Sequence, residues 1–267
     1  MNWGAAAAFP FLGECCAGFV GLCVGSFLNV VIHRLPLGLF GREGSGGGGW
    51  GICFSRSRCC HCRGAIAARD NVPLLSYLLL RARCRHCRAR ISPRYPIVEG
   101  LVALLFVVAA IHAETEYALA GFCVLAAFLV VLAAIDLDHL ILPDVLTVPL
   151  IGLGVAFNAG PGFIALPLSL LGAVVGYAFL WSVARVAGRI AGREALGRGD
   201  AKLLAALGAW LGFGAIVPAV ALAVLVSALA MLVMRLRRGA DATFHTLPMP
   251  FGPSLAAGGV LVALYNI

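Results

Sequence analysis

The sequence is short of charge. Only 12% of its 267 residues are charged, and just 12 are Asp or Glu. A soluble domain has about a quarter of its residues charged. Hydrophobic residues make up 61%, more than a soluble core of this size needs, so the bilayer must be the solvent for much of the chain. Other absences narrow the function. No His-Glu-x-x-His is present, which excludes the common membrane metalloprotease pattern. No inverted repeat and no charge near mid-span is visible, which argues against a transporter or channel. The glycine-rich stretch 44–51 lacks both a Gly-Lys-Ser/Thr ending and a strand-to-helix context, so it is expected to be a flexible linker and not a phosphate loop. Nothing basic precedes Arg34. The start therefore does not read as a cleavable signal peptide, and the N-terminus is expected outside.

What charge there is falls in few places. Twelve Arg lie within 34–94, five basic residues (Arg185, Arg189, Arg193, Arg198 and Lys202) within 185–202, and three at Arg235, Arg237 and Arg238, which accounts for all 20. The net charge of +8 would suit a nucleic-acid partner. The clustering instead matches the positive-inside rule, and the Arg-rich loop has no clear aromatic platform for RNA. A lipid bilayer is the expected partner and nucleic acid is not.

Between the charges run apolar segments, expected as helices at roughly 10–33, 97–113, 118–135, 143–158, 164–187 and 250–266. The run 201–234 is too long for one crossing of about 20 residues and short for two. Pro218 and the glycines at 208, 212 and 214 suggest a break near 214–218. Two crossings return Arg235, Arg237 and Arg238 to the inner side. The expected architecture is an all-α polytopic membrane protein of about eight transmembrane helices, carrying a small cytoplasmic loop domain. Three regions follow: a first transmembrane helix at 1–33, a polar loop domain at 34–96, and a transmembrane core at 97–267.

The loop domain contains Cys59-x-x-Cys62 and Cys84-x-x-Cys87. Two such pairs at this distance suit a closed tetrahedral four-cysteine zinc site, with each knuckle supplying two thiolates. The cytoplasm disfavours disulfides, and neighbouring Arg residues favour thiolates. The alternative is a redox dithiol or unliganded thiols, and Cys60 could substitute for Cys59. A four-thiolate site leaves no open position for water, so its expected role is to fold a loop that cannot build its own core.

With so few acidic residues, each carboxylate at a membrane edge is informative. Asp136 closes the apolar run that begins at Ala118. Asp200 follows Gly197-Arg198-Gly199 at the start of the next-but-two helix. The topology puts both at one depth on the inner side. Two such carboxylates could share a proton and activate a water. Alternatively, Asp200 caps its helix and Asp136 merely ends one.

These residues match a known family. Gly197-Arg198-Gly199-Asp200-Ala201-Lys202 resembles the Gly-x-Gly-Asp motif of the type IV prepilin peptidases, and 135–144 (Ile-Asp-Leu-Asp-His-Leu-Ile-Leu-Pro-Asp) resembles their first aspartate motif. The stretches 25–36, 71–77 and 94–99 and Pro250-Phe251-Gly252-Pro253 resemble the family's further motifs, in family order along nearly the whole chain. The resemblance implies a membrane aspartic endopeptidase in the bacterial inner membrane, with its active site facing the cytoplasm. It would remove the basic leader of type IV prepilins or type II secretion pseudopilins. It would then N-methylate the new terminus with S-adenosyl-L-methionine. A peptidase that never methylates is the runner-up. The family's catalytic aspartates fall on Asp136 and Asp200. The motif's proline, Pro143, favours Asp136 over Asp138 as the first aspartate, while Asp144 is expected to cap the following helix. Gly197, Gly199, Lys202, Asp138 and Asp144 are supporting residues, with Lys202 either tuning Asp200 or anchoring at headgroups. The metal ligands fall on Cys59, Cys62, Cys84 and Cys87. Methylation falls on the N-terminal region, with Gly25, Asn29 and Glu99 as candidates.

Overall fold

A computed structural model of the chain describes residues 11–39, 58–67, 70, 72–192, 197–238 and 250–267. The glycine-rich stretch 44–51, Cys53, Asn71 and Arg193 lie outside the described residues. The architecture is all-helical. Among the described residues the only β-pairings are two isolated bridges. The helices are α1 (Leu12–Leu39), α2 (Leu75–Leu79), α3 (Arg94–His112), α4 (Glu116–His139), α5 (Asp144–Asn158), α6 (Leu166–Ala191), α7 (Arg198–Leu211), α8 (Ile216–Arg238) and α9 (Gly252–Tyr265).

Besides the short α2, eight helices lie among the described residues, and five of them meet the length and hydropathy of a bilayer crossing. α1, α3, α4, α6 and α8 are long and apolar enough to span a bilayer, whereas α5 and α9 are shorter apolar helices. α7 has 14 residues, about 21 Å at the helical rise, against about 30 Å of hydrocarbon. The break expected near 214–218 falls slightly earlier. Gly212 leaves α7 with φ 84, a 3-10 turn spans Phe213–Ala215, and α8 carries Pro218 in its first turn.

The chain forms two compact units, Met1–Ala113 and Glu114–Ile267. In the first, α1 packs along α3. Their backbones come so close at Gly25 that a Cβ there would lie 2.7 Å from the Glu99 Cα.

In the second unit α7 is the central helix, packed by α5, α6 and α9. Every residue from Asp200 to Leu211 except Lys202 is buried. Its contact with α6 is backbone against backbone, since a Cβ on Gly172 would meet the Gly208 carbonyl and a Cβ on Gly208 the Gly172 carbonyl. Small residues at such crossings are how helices associate where no hydrophobic drive separates them from lipid. A buried helix end must also satisfy its last carbonyls. Asn158 Nδ2 donates to the carbonyls of Ala209 (2.9 Å) and Trp210 (3.0 Å), and Ser169 Oγ donates to Ala209. The Trp210 indole N–H reaches the Leu150 carbonyl at 2.9 Å. These bonds fix α7 along its length and hence fix where Asp200, at its other end, sits. The outer face of α6, by contrast, exposes Val174, Val183, Val186 and Ile190, as a lipid-facing surface does.

Candidate functional site

Asp136 sits in the last turn of α4, which continues to His139 and then reverses at Leu140, a left-handed cap with φ 56. The helix thus runs one turn beyond the end expected from hydropathy, which turns Asp136 inward and Asp138 outward. Asp136 is buried, 6% exposed, while Asp138 is exposed. The Asp136 carboxylate accepts the backbone N–H of Gly252 at 2.9 Å. Gly252 opens α9, so this carboxylate lies at a helix N-terminus, where free N–H groups and the helix dipole favour an anion. A side chain there would displace the acid: a Cβ at 252 would lie 2.6 Å from Asp136 Oδ2.

Asp200 occupies the third position of α7, with Gly197 as the N-cap. Its carboxylate is hydrogen-bonded by the Gly197 backbone, the reach-back that acidic third-position side chains make in a capping box. It too is buried, 8% exposed, at a helix N-terminus. It lies within electrostatic reach of Asp136. The expected cap is therefore present, but it does not exclude the pair, because capping orients the carboxylate and the shared burial brings the two acids together. Gly199 has a separate task. A Cβ there would lie 2.7 Å from the Leu142 Cβ, so this glycine lets the start of α7 close onto the segment between Asp136 and α5.

Lys202 is one of the partly exposed residues at the start of α7. Its ammonium pairs with Asp144 at 2.5 Å. Asp144 does not cap α5 through its side chain: the N-cap is Pro143, without a side-chain bond. The pair joins the beginnings of α5 and α7, the two helices on either side of the Leu142–Gly199 contact. Sequence reasoning gave no role to Gly252, although the Pro250-Phe251-Gly252-Pro253 motif flagged the segment.

The first unit holds the sulfurs. Cys59, Cys62, Cys84 and Cys87 present their Sγ atoms within 4.8 Å of one another, with Cys59 and Cys87 at 3.8 Å. Tetrahedral thiolates about 2.3 Å from a zinc lie about 3.8 Å apart, so the residues fit that ion. The two knuckles are copies. Cys59 N–H donates to Gly64 and Arg63 N–H to Cys59, while Cys84 N–H donates to Ala89 and Arg88 N–H to Cys84. Arg63 (φ 56) and Arg88 (φ 60) make the same left-handed turn, and each knuckle closes in a bridge, Arg58 with Ala65 and Arg83 with Arg90. The sequence carries this repeat openly, as Arg-Cys-x-His-Cys-Arg at 58–63 and again at 83–88. Backbone N–H groups of Cys62 and His61 pull the Cys59 thiol down to about 6, and those of Cys87 and His86 lower Cys84 in the same way. Cys87, although the Ala89 N–H favours its thiolate, is pushed up to about 11 by desolvation and its neighbouring sulfurs. Crowded thiolates of this kind need a cation among them. Cys60 is exposed and outside the cluster.

Below the knuckles, Glu99 is buried. Its Oε2 accepts the Leu74 N–H at 2.8 Å, and Ser26 bonds the same carboxylate. Leu74 stands at φ 54, a strained setting for a non-glycine residue that the bond to Glu99 holds in place. Asn29 donates to the Tyr95 carbonyl at 3.0 Å. Gly25, Asn29 and Glu99 thus meet along the α1–α3 seam as a framework that fixes the segment leading to α2.

Two family models match the chain: the bacterial peptidase A24 N-terminal domain over residues 19–113 and the type IV leader peptidase family over residues 123–234. The first ends at Ala113, where the first compact unit ends. Among curated relatives, a prepilin leader peptidase/N-methyltransferase of Pectobacterium carotovorum subsp. carotovorum is 41% identical over 98% of this chain and 96% of its own length. One from Klebsiella pneumoniae is 46% identical over 79% of this chain and 90% of its own, and one from Neisseria gonorrhoeae is 38% identical over 94% and 90%. No solved structure matches the chain.

Proposed function

We propose a function from one premise: this chain belongs to the type IV leader peptidase family. It is a multi-pass bacterial inner-membrane enzyme that removes the leader of prepilins or secretion pseudopilins and methylates the new N-terminus. The buried pair Asp136 and Asp200 carries this reading. Both carboxylates lie at helix N-termini within electrostatic reach of each other. Two acids so held share one proton. The ionised one draws a proton from a water as it attacks the scissile carbonyl, and the protonated one supports the developing oxyanion and then the leaving amine. Gly252 and Gly197 orient the acids through their N–H groups. Gly199 and the Lys202–Asp144 pair hold α7 against the segment after Asp136. Asp138, exposed two residues on, takes no proton in this scheme.

Methylation belongs to the first unit. S-adenosyl-L-methionine is the methyl-donating co-substrate. Zinc, held by Cys59, Cys62, Cys84 and Cys87, supplies structure alone, because four thiolates leave no open position. Gly25, Asn29 and Glu99 act as positioning residues. The inner-side location of the acids rests on the basic segments that flank the helices.

The test is co-expression with a candidate prepilin and mass measurement of the substrate's N-terminus. Loss of the leader reports cleavage, and a further methyl mass reports transfer. Cysteine labelling at 138 and 198 from each side of sealed membranes tests the sidedness. Labelling from the outer face alone would overturn it.

A further inference from the structure

We propose that the second knuckle and α2 form a docking site for an anionic phospholipid headgroup. A cleft of about 560 Å³ is lined by Tyr77, Arg81, Arg83, Arg90, Ser92 and Pro93. Arg83 and Arg90 are the two members of the knuckle's antiparallel bridge. Directly opposed residues of a bridge put their side chains on one side, and like charges there repel. The first knuckle avoids this, with Arg58 opposite Ala65. Arg81 is brought to the same cleft by two consecutive left-handed residues, itself at φ 51 and Ala82 at φ 56. Among the described residues none of these three guanidinium groups is in an ion pair, whereas Arg85 of the same knuckle pairs with Asp70 at 2.6 Å. Three arginines and a tyrosine line this one cleft, and guanidinium and phenol groups are donors of the kind a phosphate takes.

The source of that phosphate follows from what adjoins the cleft. α2 presents Leu75, Leu78 and Leu79 at 51%, 71% and 74% exposure, immediately before Arg81. A free anion has no use for three exposed leucines. A lipid does, because acyl chains lie directly beneath its headgroup, and basic residues beside apolar ones are how peptides seat at an anionic interface. The position is right as well. The apolar span α3 begins at Arg94, four residues beyond Arg90, so the cleft is no farther than about 14 Å from the start of that span. The reading needs neither the aspartate pair nor methyl transfer, and it goes beyond both.

The test uses the full chain, purified in detergent and titrated by native mass spectrometry with phosphatidylglycerol, with phosphatidylcholine and with inorganic phosphate in separate arms. Wild type should retain phosphatidylglycerol in preference to phosphatidylcholine, and inorganic phosphate should not displace it. Each arginine near an anionic surface contributes about fivefold, so Arg83→Gln with Arg90→Gln should weaken retention about 25-fold. Arg58→Gln, on the knuckle without the cleft, should leave it unchanged. Leu78→Gln with Leu79→Gln should weaken it too. The same spectra report zinc. If the double arginine variant loses its metal, Arg81→Gln, outside the bridge, carries the test with about a fivefold loss. Undiminished phosphatidylglycerol in metal-loaded Arg variants, no preference over phosphatidylcholine, or equal displacement by inorganic phosphate would each overturn the proposal.

Discussion

The carboxylate site and the sulfur site are built in opposite ways. Asp136 and Asp200 are held by long-range packing among apolar helices, where glycines remove side chains so that backbone can touch carboxylate. The four cysteines are held by short turns that repeat one local pattern, with little packing around them. The first site depends on what is left out, namely Cβ atoms. The second depends on what is put in, a cation. They should therefore fail differently, the one by overfilling and the other by chelation.

The largest effects should come from the acids. Asp136→Asn and Asp200→Asn are each expected to abolish leader removal while the protein stays in the membrane, read by substrate mass and by membrane fractionation. Asp138→Asn should cleave close to wild type. Should Asp138→Asn alone be inactive, the inward turn of Asp136 would not be the basis of catalysis.

Overfilling comes next. Gly252→Ala puts a methyl into the Asp136 carboxylate, and Gly199→Ala puts one into Leu142. Overpacking costs about 1–3 kcal/mol. If that strain falls on the geometry of the pair, cleavage should drop about ten- to a hundredfold. The two changes differ in remedy. Leu142→Ala should rescue Gly199→Ala by making room, but nothing can rescue Gly252→Ala without altering the acid itself. Failure of Leu142→Ala to rescue would separate Gly199 from its contact with Leu142.

Chelation should act on the other side of the comparison. Elemental analysis of purified protein is expected to give one zinc per chain. Cys59 and Cys84 have thiols lowered by knuckle N–H groups. A lowered thiol is a thiolate above its pKa, so metal should be held at neutral pH and released only in acid, at a pH below the metal-free Cys59 value of about 6 because the bound cation itself favours the thiolates. Stripping the metal should reduce methylation more than cleavage, both read from one substrate spectrum. An equal loss of the two would refute the division of labour.

Much of this was legible in the sequence because it is local. The apolar runs gave the helices within a few residues, and spacing alone assembled the cysteine tetrad. The knuckle repeat at 58–63 and 83–88 was equally open to reading. Pro218 and the neighbouring glycines marked the break in the run 201–234, where a 3-10 turn separates α7 from α8. The same run could not say that α7 is a 14-residue helix buried at the centre of its unit, since hydropathy does not distinguish burial in lipid from burial in protein. The Asp136–Gly252 bond joins residues 116 apart, and the Gly199–Leu142 contact brings the first turn of α7 onto the segment between α4 and α5. Local pattern carries no trace of either. The resemblance pointed to the aspartates, but only folded geometry gives the glycines beside them their tasks.

The smallest effect should belong to Lys202 and Asp144. The pair has 26% and 66% exposed side chains, and ion pairs open to solvent contribute about 0–1 kcal/mol. Its place matters more than its strength. It ties α5 to α7 beside the Leu142–Gly199 contact, so loosening it should let the start of α7 drift from the segment after Asp136. Lys202→Met or Asp144→Asn is expected to slow cleavage less than tenfold, with a larger loss at high salt in wild type than in either variant. Exchanging the two charges, Lys202→Asp with Asp144→Lys, should recover most of the rate if the pair merely ties the helices. Were Lys202 instead to act on Asp200 through its charge, the exchange would put a third carboxylate near the acids and cleavage would fall further than in either single variant. The order of those three rates thus decides whether Lys202 is a strut or part of the acid chemistry.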